Sequence, residues 1–143
     1  MNDKEINVLI STVHNSVEFV KEFKMAKEML NIKGKIITSD LRDDVPAAFV
    51  GDKHINLKTI DDEGYIDSII EACNRENISA FIPVVDKELK ILSKNKKNIE
   101  DNTSAKVMIS DEDVINITRD KVKTYKFLKK MDLIHLELLV RKI

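Results

Sequence analysis

The sequence predicts an α/β fold: a Rossmann-like open, mainly parallel sheet with helices on both faces. Three observations predict it. Short apolar runs rich in β-branched residues recur along the chain. The segments between them carry helical periodicity, and strands alternating with helices pair in parallel through right-handed crossovers. The third is size and composition. The 143 residues are 43% hydrophobic and 34% charged, with three glycines and two prolines, the profile of a chain with a core of its own and no low-complexity linker.

The elements follow in order. "INVLISTV" (6–13) reads as a buried strand. Asn15 followed by Glu18 has the spacing of a capping box, ahead of a helix whose stripe is Phe19, Phe23, Ala26 and Leu30. Gly34 is expected to cap that helix in the left-handed conformation. "KIITSD" (35–40) is the second strand and ends on Asp40. Residues 41–53 have no clean period and hold Pro46 and Gly51, so they read as a loop with about one turn of helix, before a short strand "HINLK" (54–58). Asp61 or Asp62 starts a helix with the stripe Ile66, Ile69, Ile70 and Cys73. "SAFIPVV" (79–85) is a strand broken at Pro83, and Asp86 N-caps a helix through Leu89 and Leu92. "AKVMIS" (105–110) is the last strand of this series. Ser110 with Asp113 caps a short helix around Val114 and Ile117, and a basic helix follows from Asp120, packing through Val122, Tyr125 and Leu128. "IHLELLVRKI" (134–143) alternates as a strand does.

Charge and cysteine content narrow the function classes. The formal charge of -1 conceals a balance of -6 over residues 1–118 and +5 over residues 119–143. The basic tail lacks arginines interleaved with stacking aromatics, and the acidic body repels phosphate, so neither nucleic acid nor membrane is an expected partner. A lone Cys73 forms no internal disulfide, and the expected compartment is the cytoplasm. The start of the sequence has the form of no signal peptide.

In open α/β sheets, ligands sit at the carboxyl ends of the strands, where strand order reverses. That rule singles out 14–16, 40–46 and 83–88. The first turn, "STVHNSVE" (11–18), has none of the glycines a dinucleotide site needs for close approach of backbone to pyrophosphate. Its His14, Asn15 and Ser16 are candidates for ligand contact or for local capping. Asp40 stands where such folds place a ribose-binding carboxylate, although Asp is also a common turn former. In "IPVVDKEL" (82–89), Asp86 and Glu88 are placed to hold an amine or a hydroxyl, or to cap a helix and favour its dipole. The three histidines are widely spaced, so no metal site is expected. Cys73 lies on an apolar stripe and is expected in the core.

Read together, "NVLISTV…VEFVKEFK", "GKIITSDLRDDVPAAFVGDKHI", "YIDSIIEACNRENISAFIPVVDKEL" and "ISDEDVINITRDKVKTYKFLKKMDL" resemble the N-terminal region of ATP-grasp enzymes of the carbamoyl-phosphate-synthase large-subunit-like group. The resemblance covers residues 6–134. Its most specific parts are "SD…PAAFVGDKH", the P-x-x-D-x-E at Pro83, Asp86 and Glu88, and "DK-x-K-T-Y-x-FL" at 120–128. It implies a pre-ATP-grasp domain over 1–118, followed over 119–143 by a basic linker helix and an apolar C-terminal segment packed on that domain or on a partner. It also implies a family that activates carboxylates with ATP and magnesium, both bound by ATP-grasp domains and not by this stretch. Here the domain would be non-catalytic and would shape an acceptor-substrate pocket with residues 13–16, Asp40, Asp86 and Glu88.

The sequence departs from the family pattern S-x-G-x-R in its first turn, and it offers only "IHLELLVRKI" where two further subdomains are expected. The expectation is a truncated or split ligase. It would be completed by an ATP-grasp domain polypeptide, or would assemble as a homodimer through the C-terminal segment that holds Leu136 and Leu138. The alternatives are a freestanding small-molecule or nucleotide-binding module using Asp40 and Asp86, a homo-oligomeric structural protein, and a self-sufficient ligase.

Overall fold

The computed structural model describes residues 5–133. Two compact units make up the chain, Met1–Ile109 and Ser110–Ile143. In the first, five parallel strands form one sheet: β1 (Asn7–Ser11), β2 (Ile36–Asp40), β3 (Lys53–Asn56), β4 (Ile78–Pro83) and β5 (Lys106–Val107). Their order is β3-β2-β1-β4-β5. The chain therefore winds outward from β1 in one direction and then crosses to β4, which puts the reversal between β1 and β4. The expected open parallel sheet with helices on both faces is the observed one.

Strand parity explains the two cores. Val8 and Ile10 point to one face with Ile36, where α1 (Val17–Met29) and a 3-10 turn (Pro46–Phe49) bury Val20, Ala47 and Ala48. Leu9, Ile37, Ile55 and Phe81 point to the other face. There they meet Tyr65, Ile69, Ala72 and Cys73 of α2 (Tyr65–Arg75), and Leu92 and Ile99 of α3 (Asp86–Asn102). The central β1 is buried along its whole length, as a strand covered on both faces must be.

Three junctions hold helix ends to the sheet. Helix α1 ends in a Schellman motif: Ile32 N–H donates to the Lys27 carbonyl (2.9 Å) and Asn31 N–H to that of Glu28 (3.0 Å), with Asn31 at φ 51°. Asn31, not the expected Gly34, is thus the left-handed cap. Gly34 instead takes φ 132° where the chain passes β1 so closely that a Cβ would sit 2.1 Å from the Ile6 carbonyl oxygen. In the same C-terminal turns of α1, Lys24 (2.9 Å) and Lys27 (3.1 Å) pair with Asp52, which accepts from Ile36 N–H (2.8 Å). Burial alone would raise its carboxyl pKa, but these donors outweigh it and hold it at about 2. Buried Asn7 donates to the Glu76 carbonyl (2.8 Å) at the end of α2 and accepts from Lys35 N–H (2.9 Å).

The structure corrects four local expectations. The inward line of α1 is Val17, Val20 and Phe23, continued by the stems of Lys24 and Lys27, while Phe19 and Leu30 of the expected stripe are 38% and 69% exposed. The lysine heads reach Asp52, so aliphatic stems cover apolar surface that the hydropathy pattern assigns to leucine. The Asn15–Glu18 capping box is not formed. Ser16 is the N-cap, at φ -77° and ψ 46°, and has no side-chain cap bond; away from extended backbone the side chain is not aimed at the helix amides. Val85, not Asp86, is the N-cap of α3, and Asp111, not Ser110, that of α4 (Glu112–Thr118), neither with a side-chain bond to the helix amides it caps.

In the second unit, α4 is followed by α5 (Lys121–Lys130). Asp120 caps α5 with one carboxylate oxygen on Val122 N–H (2.9 Å) and Lys123 N–H (3.0 Å), and Thr124 Oγ1 donates to the Ile117 carbonyl of α4 (2.8 Å). Tyr125 and Leu128 are half-buried, but Val122 of the expected stripe is exposed. No helix among the described residues is long and apolar enough to cross a membrane. The expected strand at 134–143, with His135, Leu136 and Leu138, lies outside the described residues.

Candidate functional site

The carboxyl ends of β1, β2 and β4 open into a cavity of about 590 Å³, lined by residues that include His14, Asp40, Asp86 and Glu88. Four of the six sequence candidates therefore converge. Asn15 lines a second hollow that shares His14 and Asp40, and Ser16 lines neither.

Backbone geometry at the end of β1 sets the near wall. Thr12 (φ 53°) and His14 (φ 39°) are left-handed, although neither is glycine, a conformation that surrounding contacts must hold in place. Asp40 does this. Its Oδ2 accepts from His14 N–H (2.9 Å) and lies 3.0 Å from His14 Nδ1, and its Oδ1 accepts from Leu41 N–H (2.8 Å). Ser39 O and His14 O accept from Val13 N–H and Ala47 N–H (both 3.2 Å) and complete the turn. With both oxygens engaged inside the protein, Asp40 works as the clamp of the turn rather than as a free ribose hook. The missing glycines are replaced by this clamp.

Beneath the cavity lies a polar cluster on the α2–α3 side of the sheet. Glu88 is 3% exposed and accepts from Ser11 Oγ (3.1 Å to each oxygen) and from the Tyr65 hydroxyl. No Lys, Arg or His among the described residues pairs with it. Burial first, and then the Glu88 charge, push the Tyr65 phenol above its ordinary pKa of about 10, so Tyr65 is a donor throughout the neutral range. Ser39 stands opposite Ser11 in the β1–β2 register, is 1% exposed and lines the same cavity. Its Oγ is the one buried side-chain polar atom among the described residues without a hydrogen-bond partner.

Asp86 differs from Glu88. It is the first residue of α3, exposed at the rim, with no partner drawn from the described residues. The rim adds Asp61, Lys58 and Lys87, and the apolar wall is Leu41, Leu57, Ile60 and Val85. Lys58 is 3.3 Å from Asp62, which leaves carboxylates in excess around the opening. Such a cavity can seat an aliphatic stem and hydrogen-bond an amine or hydroxyl.

Sequence reasoning missed Ser11, Ser39 and Tyr65. Ser11 and Ser39 carried a usable signal, because each follows an inward apolar residue, Leu9 or Ile37, by two positions at a strand end. A hydroxyl there points into the sheet–helix layer. Cys73 is buried in the α2 core as expected, its thiol pushed up to about 12 by burial. No three His, Cys, Asp or Glu side chains among the described residues are gathered so as to hold a metal ion, and the β1 turn offers phosphate no glycine cradle. The described residues thus do not fit ATP with magnesium.

The chain matches the family described as PylC-like, N-terminal domain, over residues 8–111. No curated protein matches the sequence. Among solved structures, the biotin carboxylase domain of a single-chain bacterial carboxylase superposes with a TM-score of 0.59 at 14% identity, covering 89% of this chain and 29% of that one. A complete multifunctional pyruvate carboxylase from Rhizobium etli gives 0.58 at 15% identity, over 95% of this chain and 13% of the other. The ADP complex of an N5-carboxyaminoimidazole ribonucleotide synthetase gives 0.58 at 16%, over 90% and 29%. The chain therefore spans less than a third of the length of each of these structures. These matches bear out the resemblance to the N-terminal region of ATP-grasp enzymes that the sequence carries.

Proposed function

Because the chain belongs to the PylC-like N-terminal domain family, we propose that it serves as the pre-ATP-grasp domain of an ATP-dependent carboxylate ligase and shapes the pocket of the acceptor substrate. It supplies no catalysis by itself. The observation that carries this reading is the convergence of His14, Asp40, Asp86 and Glu88 on one cavity at the sheet's reversal point, where open α/β sheets receive ligands.

Each residue then has a distinct task. Asp40 holds the β1 turn in the shape of the wall, and His14 presents its exposed ring at the opening. Asp86, free at the rim, pairs with the acceptor's amine or hydroxyl, and Leu41, Leu57 and Ile60 cover its carbon stem. Activation of the carboxylate with ATP and magnesium would fall to ATP-grasp domains outside the described residues, in keeping with the resemblance and with the poor fit of these residues to either group.

ADP release tests the proposal. The purified chain with ATP and magnesium is expected to stay at background. Addition of the ATP-grasp polypeptide that completes it is expected to produce ADP only when acceptor is present. ATP turnover by the chain alone, lost in Asp86→Asn, would overturn the reading.

A further inference from the structure

The unpartnered Ser39 hydroxyl needs an explanation, because buried polar groups in folded proteins are almost always hydrogen-bonded. Ser39 is held at 1% exposure on the floor of the strand-end cavity, one strand spacing (about 4.8 Å) from Ser11, the residue opposite it in register. Ser11 already donates to both Glu88 oxygens, and Tyr65 donates to Oε1. A carboxylate offers about four lone-pair sites, so Oε2 retains capacity for one more donor. The floor thus has one proton to give, from Ser39, and one lone pair to fill, on Glu88.

We propose that this floor is a subsite for a ligand hydroxyl, which accepts the proton of Ser39 Oγ and donates its own to Glu88 Oε2. The ligand class is a small alcohol or polyol with an apolar flank. A hydroxyl closes the chain because it is donor and acceptor at once. An ammonium donates only and leaves the Ser39 proton without an acceptor. A carboxylate would be brought against Glu88. Carbon atoms of the ligand lie along Leu57, Ile60 and Val85 on the way to the rim. This rests on the reading of the cavity as a substrate pocket and specifies which group its floor takes.

Butane-1,4-diol and butane-1,4-diamine, matched in length, test the assignment on the full chain. Amide resonances are followed by heteronuclear NMR at Ser11, Ser39, Tyr65 and Glu88. The diol is expected to shift all four saturably, and Ser39→Ala to weaken it roughly five- to tenfold, the loss of one hydrogen bond. Ser39→Ala is also expected to keep or raise Tm, because it deletes an unsatisfied buried group; a loss of Tm would mean that Ser39 is structural and would overturn its role as a ligand contact. Preference for the diamine, unaffected by Ser39→Ala, would overturn the hydroxyl assignment and leave the pocket reading standing. No shift with either probe would mean that the floor holds water alone, and it would overturn the proposal whatever the outcome of the ADP-release assay.

Discussion

Tyr65→Phe isolates the bond that ties α2 to α3 beneath the cavity. The substitution removes one oxygen and leaves the ring, so the core loses almost no volume. What it deletes is a donor to a carboxylate that is 3% exposed and has no cationic partner among the described residues. A hydrogen bond to a charged group contributes about 1.5–3 kcal/mol. At 3% exposure for Tyr65 itself, solvent does not replace the lost donor, and a cost of about 2 kcal/mol is expected. For a chain of this size that corresponds to a fall in Tm of roughly 6–8 °C. Urea unfolding followed by circular dichroism should show the midpoint moving down with the m-value unchanged.

The same bond predicts a pH signature. Tyr65 has its folded pKa raised above the unfolded value of about 10. Above pH 10 the unfolded chain therefore loses a proton that the folded chain keeps. The stabilisation is fully present below that pH and declines above it, by up to about 1.4 kcal/mol per pH unit. Tyr65→Phe should lack this part of the alkaline loss. A variant within about 0.5 kcal/mol of wild type, with an unchanged alkaline limb, would refute the network.

Two further outcomes follow from the junctions of the sheet. Asp52→Asn should cost about 1 kcal/mol, since a pKa of about 2 against 3.8 is discounted for a side chain 25% open to screening solvent. Because that pKa is depressed, the contribution is present above about pH 4 and is lost as pH falls toward 2, so acid titration of wild type and variant should converge there. Gly34→Ala should cost roughly 3–5 kcal/mol, because φ 132° disfavours any side chain and the new Cβ meets the Ile6 carbonyl at 2.1 Å. Chemical denaturation reads this directly, and a neutral outcome would contradict the close passage.

The alternation of strand and helix was legible because parallel strands buried on both faces must be largely apolar, as the runs "VLI" (8–10) and "II" (36–37) at their centres are. Element ends were less legible. Thr12 turns left-handed and stops β1 at Ser11, where the β-branched run continues to Val13. Capping depends on backbone angles that a residue spacing does not encode, which is why Asn15–Glu18 has the right letters and no bond. At the site, carboxylates at strand ends stood out by type and position. Ser11 and Ser39 did not, since only strand parity and the register opposite each other give two ordinary serines a shared floor.

The most direct test of the pocket reading is a steady-state comparison of wild type and Asp86→Asn in the ligase that the proposal requires, this chain completed by ATP-grasp domains. Asp86 is exposed at the rim and hydrogen-bonded to nothing among the described residues, so the substitution should lower Tm by no more than about 3–4 °C, the loss of one first-turn charge on the dipole of α3. The account predicts an acceptor KM raised roughly tenfold or more, the loss of one charge-assisted hydrogen bond, with the KM for ATP unchanged. A raised KM for ATP with an unchanged acceptor KM would contradict it.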